Sequence, residues 1–271
     1  MNVTLLQAIF LGIVQGLTEL LPISSSAHLT VLPWLMWNVE DIGAFDVALH
    51  AGTLLAIGIF FFKDWINLLV GAYKNVVKKE KTFEGKMFWY IVLATIPGGL
   101  IGFVLDDKLD LFLETRGIKV VVSVIAFALM IMGVILYFVD KKAKSEVEYK
   151  DMTLKQTFLI GFSQALAFIP GVSSSGITMT TARMMGVKRE SAAKYSFMLS
   201  APIVLAATLL KLLKGEFIFS IPFFAGIFAS FIVGILVIKF LLKYLQKGDL
   251  KVFAIYRIVF GLLILIKVFF F

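Results

Sequence analysis

Apolar residues gather along this chain in six unbroken runs, at about 45–62, 87–104, 118–139, 191–210, 219–241 and 252–270. Each approaches the roughly 20 helical residues that cross a hydrocarbon core, so the pattern predicts six membrane-spanning helices. Two further apolar segments, 5–37 and 156–186, do not read as spans. Pro22 with Ser24-Ser25-Ser26 interrupts the first, and Pro170-Gly171 with Ser173-Ser174-Ser175 interrupts the second. Backbone groups freed at such a break cannot face lipid. Each segment is therefore expected to be a re-entrant helix–turn–helix; eight plain, kinked spans are the alternative. The predicted fold class is an all-α integral membrane protein, with six transmembrane helices plus two re-entrant helix hairpins arranged as an inverted-topology repeat.

The repeat is written in the polar positions. Gly12-Ile13-Val14-Gln15-Gly16-Leu17 leads to Ser24-Ser25-Ser26, and Gly161-Phe162-Ser163-Gln164-Ala165-Leu166 leads to Ser173-Ser174-Ser175. Gln15 and Gln164, like Ser24 and Ser173, stand 149 positions apart. The echo resumes one residue out of step, with Leu49, Ala51, Leu55 and Ala56 answering Leu199, Ala201, Leu205 and Ala206. A single membrane domain built of two repeats, about 5–139 and 154–271, places a candidate site between them.

Charge orients the spans. Lys63, Lys74, Lys78, Lys79, Lys81 and Lys86 crowd residues 63–86, and Lys141, Lys142, Lys144, Lys150 and Lys155 crowd 140–155. The stretch 105–114 is acidic, with Asp106, Asp107, Asp110 and Glu114, and reads as a short outer loop. The positive-inside rule puts the lysine-rich loops in the cytoplasm and both termini outside. The first hairpin then dips from the outside and the second from the inside. The net charge of +8 is absorbed by this loop bias and by anionic headgroups, and it does not indicate nucleic acid. Hydrophobic residues at 60% and charged residues at 16% exclude an ordinary soluble domain. With no cysteine, disulfide frameworks and thiolate metal sites are excluded as well. The opening segment lacks a basic n-region and carries the first repeat motif, so it is not expected to be a cleaved signal.

Candidate chemistry lies at the two breaks. Glu19 is the only carboxylate of the first hairpin and follows Gln15 by four residues, on one helical face. An ionised carboxylate at membrane depth must be paired, hydrated or metal-bound; a helix-end glutamate at the interface is the plainer reading. Ser25 and His28 share a first helical turn if a helix starts at Ser24 or Ser25, so the imidazole could orient or deprotonate the hydroxyl. A serine there is also an ordinary N-cap. The second cluster opens a helix with glycines, hydroxyls and free N–H groups, an arrangement that binds anions. Arg183 is placed to supply charge there or to meet headgroups. His50, Asp46 and Asp41 flank the first span and are read as interfacial, and Phe60-Phe61-Phe62 and Phe269-Phe270-Phe271 as lipid-facing.

Gln15-Gly16-Leu17-Thr18-Glu19 with Pro22-Ile23-Ser24-Ser25-Ser26-Ala27-His28-Leu29 resembles the first signature of the undecaprenyl-diphosphate phosphatase, or bacitracin-resistance, family. Pro170-Gly171-Val172-Ser173, Ser175-Gly176 and Thr178 resemble its second, and Ser196-Phe197-Met198-Leu199 with Pro202, and Phe253-Ala254-Ile255-Tyr256-Arg257, resemble further family segments. The resemblance implies removal of the terminal phosphate of undecaprenyl diphosphate at a site opening to the extracytoplasmic side of the cell membrane. It implies that Glu19 and Gln15 line the site with a divalent cation, Mg or Ca, for which Glu19 is the metal ligand. It makes Ser25 and His28 nucleophile and base beside Glu19, and gives Ser173 and Thr178 the diphosphate. With the serine clusters, the candidate substrate contacts are Gln15, Ser26, Ser173, Ser174, Ser175, Thr178 and Arg183.

Ser174 departs from the pattern, for the family carries arginine between the two serines. Serine offers one neutral hydroxyl where arginine offers a fixed positive fork. The leading reading is a lipid-diphosphate phosphatase that recycles the carrier for cell-wall synthesis, its partners being polyprenyl diphosphate and membrane lipids. A polyprenyl-phosphate flippase and a catalytically impaired lipid-phosphate binder are the competitors. The sequence leaves a homodimer open.

Overall fold

A computed structural model describes residues 3–39 and 42–270, apart from the side chains of Phe103 and of residues 105–114. Asp41 and Phe271 lie outside the described residues, as do the side chains of Asp106, Asp107, Asp110 and Glu114. The described residues form helices and one isolated bridge between Val147 and Val187.

Both interrupted segments are broken helices. Helices α1 (Leu5–Thr18) and α2 (Ser25–Trp37) pack against each other across the Pro22 turn. Helices α3 (Ala44–Phe60), α4 (Phe62–Tyr73), α5 (Phe83–Thr115) and α6 (Ile118–Lys142) follow. The second broken pair is α7 (Leu154–Gln164) and α8 (Ser174–Met184), joined through a 3-10 turn at Ala165–Phe168. Helices α9 (Arg189–Leu213), α10 (Ile221–Leu245) and α11 (Lys251–Phe270) complete the fold.

The two hairpins are started by the same device. Thr4 and Gln7 form a capping box at α1, and Thr153 and Gln156 form one at α7, each pair satisfying backbone donors that a helix start leaves open. The inner helices also start alike: Ser24 and Ser173 sit at φ 76° and 73° and cap the N–H groups of Ala27 and Gly176. A non-glycine residue at positive φ is strained, and here the surrounding hydrogen bonds hold it.

Among the described residues five helices are long and apolar enough to cross a membrane, counting Phe83–Gly102 of α5 with α6, α9, α10 and α11. A sixth is reached by counting α3 and the helix that follows it as one span bent by 74°. That bend turns Phe61 inward to 4% exposure against Phe197, while Phe60 and Phe62 stay exposed. The middle phenylalanine is thus core and not lipid-facing. The acidic stretch 105–114 is not a loop either; α5 runs on through it to Thr115. Charge alone does not end a helix, and the break falls at Gly117, the N-cap of α6.

Each hairpin is seated by a helix from the other half of the chain. Gly12 of α1 lies so close to α10 that a Cβ would stand 2.3 Å from the Gly226 carbonyl oxygen. Gly161 of α7 meets α5 in the same manner, 2.1 Å from the Ala94 carbonyl oxygen. Small residues let backbones approach in this way where lipid provides no hydrophobic drive between helices. The arrangement brings the two serine turns together in the middle of the bundle.

Candidate active site

The first turn builds its polar centre around one carboxylate oxygen. Ser25 donates its hydroxyl to Glu19 Oε2 at 2.6 Å, and Gln15 Nε2 donates to the same oxygen at 3.3 Å. Gln15 and Glu19 share a helical face as their spacing predicts, and the Pro22 turn brings Ser25 back over it. His50 of α3 adds a third partner, its Nε2 3.2 Å from Glu19 Oε2. Its Nδ1 lies 2.9 Å from the Asp46 carbonyl oxygen and 3.2 Å from Asp46 Oδ1. His50 and Asp46 are therefore part of the site, against their reading as interfacial groups.

The second turn closes on the first. Ser175 donates to the carbonyl oxygens of Glu19 at 2.9 Å and Leu21 at 3.0 Å, tying α8 to the Pro22 turn. Gln164, the counterpart of Gln15, donates to Ser174 Oγ at 2.9 Å. Between the turns lies a cavity of about 230 Å³. Glu19, Ser25, Ser26, His50, Gln164, Ser173, Ser174 and Ser200 give it a polar wall, and Val47, Ala167, Phe168, Ile203, Val204 and Ala207 an apolar one. His50 is the one basic side chain among the described residues that line it. Gln15 Oε1 and Gln164 Oε1 are buried without a hydrogen-bond partner. An unmet buried acceptor costs about 1–3 kcal/mol; Asp46 Oδ1 is a third such atom, and of the three residues only Gln164 lines the cavity.

Five of the sequence-predicted residues do not line the cavity: Gln15 and Ser175, bonded as described above, and His28, Thr178 and Arg183, which stand elsewhere. His28 shares the first turn of α2 with Ser25 but does not meet it. Its Nδ1 lies 2.7 Å from the Ser24 carbonyl oxygen, its Nε2 2.6 Å from the Tyr256 hydroxyl, and its ring stacks on Phe260. A neutral imidazole whose Nδ1–H serves the carbonyl accepts the tyrosine proton at Nε2, leaving no nitrogen for Ser25. The Ser25–His28 pair is thus not formed; Glu19 takes the hydroxyl proton's side. Thr178 is fully buried on Ser196 Oγ at 2.7 Å and on the Ser174 carbonyl, behind the cavity wall. Arg183 is fully buried at the far end of α8 and donates to Asp140 at 2.7 Å and to surrounding carbonyls. A cation in that setting needs its counter-ion, and it cannot clamp a phosphate at Ser174.

Arg257 holds the turns from behind. Its guanidinium, fully buried on α11, donates to the carbonyl oxygens of Pro22 at 3.2 Å, Gly171 at 3.0 Å and Val172 at 2.7 Å. One side chain thereby satisfies carbonyls that both breaks set free. Arg257→Met should leave these acceptors unmet at about 1–3 kcal/mol each. A thermal midpoint in detergent well below the parent's, with Arg257→Lys between them, is the expected outcome.

For a divalent cation the chain offers the Glu19 carboxylate and the unpartnered Gln15 Oε1. Among the described residues no group of three or more His, Cys, Asp or Glu forms a cage. One carboxylate with an amide oxygen suits a hard cation that keeps water and shares phosphate oxygens.

A partly open polar cavity between two broken hairpins, inside a bundle of apolar spans, defines a multi-pass membrane protein with a candidate site among its helices. The chain belongs to the bacitracin resistance protein BacA family, whose model matches residues 8–263. It is 48% identical over 257 residues to an undecaprenyl-diphosphatase of Caldicellulosiruptor bescii, with 94% of each chain covered. It is 43% identical over 267 residues to one of Pelotomaculum thermopropionicum, covering 97% of this chain and 96% of the other. With one of Desulforudis audaxviator the identity is 42% over 262 residues, with 96% of each covered.

Proposed function

We infer that this chain hydrolyses undecaprenyl diphosphate to the monophosphate and inorganic phosphate, recycling the lipid carrier for cell-wall synthesis. The observation that carries the reading is the 2.6 Å hydrogen bond from Ser25 to Glu19, at the wall of a chamber that the second serine turn completes. A hydroxyl already aimed at a carboxylate is an activated nucleophile. Ser25 Oγ attacks the terminal phosphorus, the bond from that phosphorus to the bridging oxygen breaks, and Glu19 takes the serine proton. Water then attacks the phosphoserine, Glu19 returns its proton to the departing Ser25 oxygen, and phosphate leaves with the water's atoms. Ser26, Ser173 and Ser174 offer hydroxyls to the diphosphate, and α2 and α8 point their N-termini at it. The apolar wall on α9 receives the start of the prenyl chain. A divalent cation held by Glu19 and Gln15 Oε1 would neutralise part of the diphosphate charge. Release of phosphate by the purified chain given undecaprenyl diphosphate is the test; none released, with the lipid unchanged, overturns the reading.

The site is proposed to open to the outer side of the cell membrane, on the strength of the lysine-rich loops at 63–86 and 140–155. Since the chain has no native cysteine, single cysteines report sidedness without background. An impermeant thiol reagent on whole cells should label Asn38→Cys and spare Lys79→Cys. The reverse pattern would invert the topology. Transport of polyprenyl phosphate remains the second reading, drawn from the paired hairpins. Movement of labelled lipid across liposomes without phosphate release would favour it.

A further inference from the structure

We propose that His50 is a positioning residue of the hydrolytic site, holding the Glu19 carboxylate in the orientation that takes the Ser25 proton. The inference rests on the phosphatase reading and deepens it. Glu19 Oε2 receives Ser25, Gln15 and His50, and only His50 comes from outside the first hairpin. Ser25 and Gln15 belong to the same hairpin as Glu19, whereas His50 stands on a separate helix. Its far nitrogen is anchored one helical turn back on the Asp46 backbone carbonyl at 2.9 Å, with the Asp46 carboxylate alongside as an ion-pair contact at 3.2 Å. That anchor fixes the ring, so Nε2 meets Glu19 from a single direction. A carboxylate held by groups whose own rotamers are locked pays little reorganisation when the proton arrives.

The neighbourhood makes this role specific. No lysine or arginine lines the cavity among the described residues, so without His50 the Glu19 carboxylate would face an incoming diphosphate with neutral partners alone. The carboxylate would then turn toward water, away from Ser25. Both ring nitrogens of His50 are engaged, so the imidazole acts on the reaction through Glu19 and not on the phosphate directly.

Three variants and one spectrum decide the matter. His50→Phe keeps a flat ring but no donor, and should lower kcat on the order of 100-fold with KM near the parent's. His50→Gln restores an N–H donor without the charge and should recover part of the rate, a rescue that a merely space-filling residue would not give. Asp46→Asn, which loosens the anchor, should fall between them. The chain has only two histidines, so their imidazole ¹H–¹⁵N signals can be read one against the other. Glu19→Gln should move the His50 signals and leave those of His28 in place. A parent-like kcat in His50→Phe, or His50 signals indifferent to Glu19→Gln, would overturn the proposal. A parent that releases no phosphate would fail the phosphatase reading instead, and the spectrum would still report the contact.

Discussion

Glu19→Gln is expected to abolish phosphate release while leaving the chain folded. The amide matches the carboxylate in volume and can still accept the Ser25 hydroxyl, but it cannot take that proton. It also removes the negative charge that His50, Gln15 and Ser25 surround. Loss of one member of a set acting as a unit commonly costs on the order of 10³-fold or more in rate. Turnover of undecaprenyl diphosphate should be measured beside circular dichroism and thermal midpoint at matched protein. A rate within about twofold of the parent would mean that Glu19 serves structure alone.

Ser174→Arg should raise activity more than any other single change. Ser174 opens α8 at the cavity wall, held by Gln164 from behind. An arginine there would stand at a helix N-terminus, where the dipole already favours phosphate, in a cavity whose described lining has neither lysine nor arginine. Charge-stabilising contacts of this kind are worth roughly 3–4 kcal/mol, or about two to three orders of magnitude in rate. Arg183 does not already fill the role, since it is committed to Asp140. Parent and variant should be compared at equal divalent-ion concentration. Equal rates would show that the hydroxyls and His50 suffice without a fixed cation.

What could be read from the chain alone divides along a physical line. The apolar runs, the prolines and the serine triplets are local signals, and they placed the spans and both breaks within a few residues. The repeat of 149 also pointed to two matching serine turns, and the structure brings them into contact through Ser175. Contacts between elements left weaker marks. His50 looks like a polar residue near the end of a span; its meaning depends on α3 packing beside the first turn, which no spacing records. His28 had the right spacing to Ser25, but spacing fixes a face and not a rotamer, and the nearer Ser24 carbonyl and Tyr256 won the ring. Arg183 follows Ser174 on the same helix, yet it ends at the opposite end, where Asp140 awaits it. Asp140 carried no local signal, being defined by Arg183, Arg189 and the backbone of Leu250; Arg257 stood out only within a segment of family resemblance, its role being set by carbonyls of distant turns.

The exchange of seats between the two halves has a consequence for synthesis. Helix α5 precedes α7, so the second hairpin finds its seat already made as it leaves the ribosome. The first hairpin has no such luck: α1 ends at Thr18, while α10 begins only at Ile221. At roughly 5–20 residues per second the first serine turn waits on the order of 10–40 s for its docking surface. Two hairpins that share the same repeat motif thus have unequal biographies. A ribosome stalled after α9 would leave Glu19 and Ser25 with their partners on α3 and α8 but without the helix that seats α1, so the first hairpin is fully packed only in the closing stage of translation.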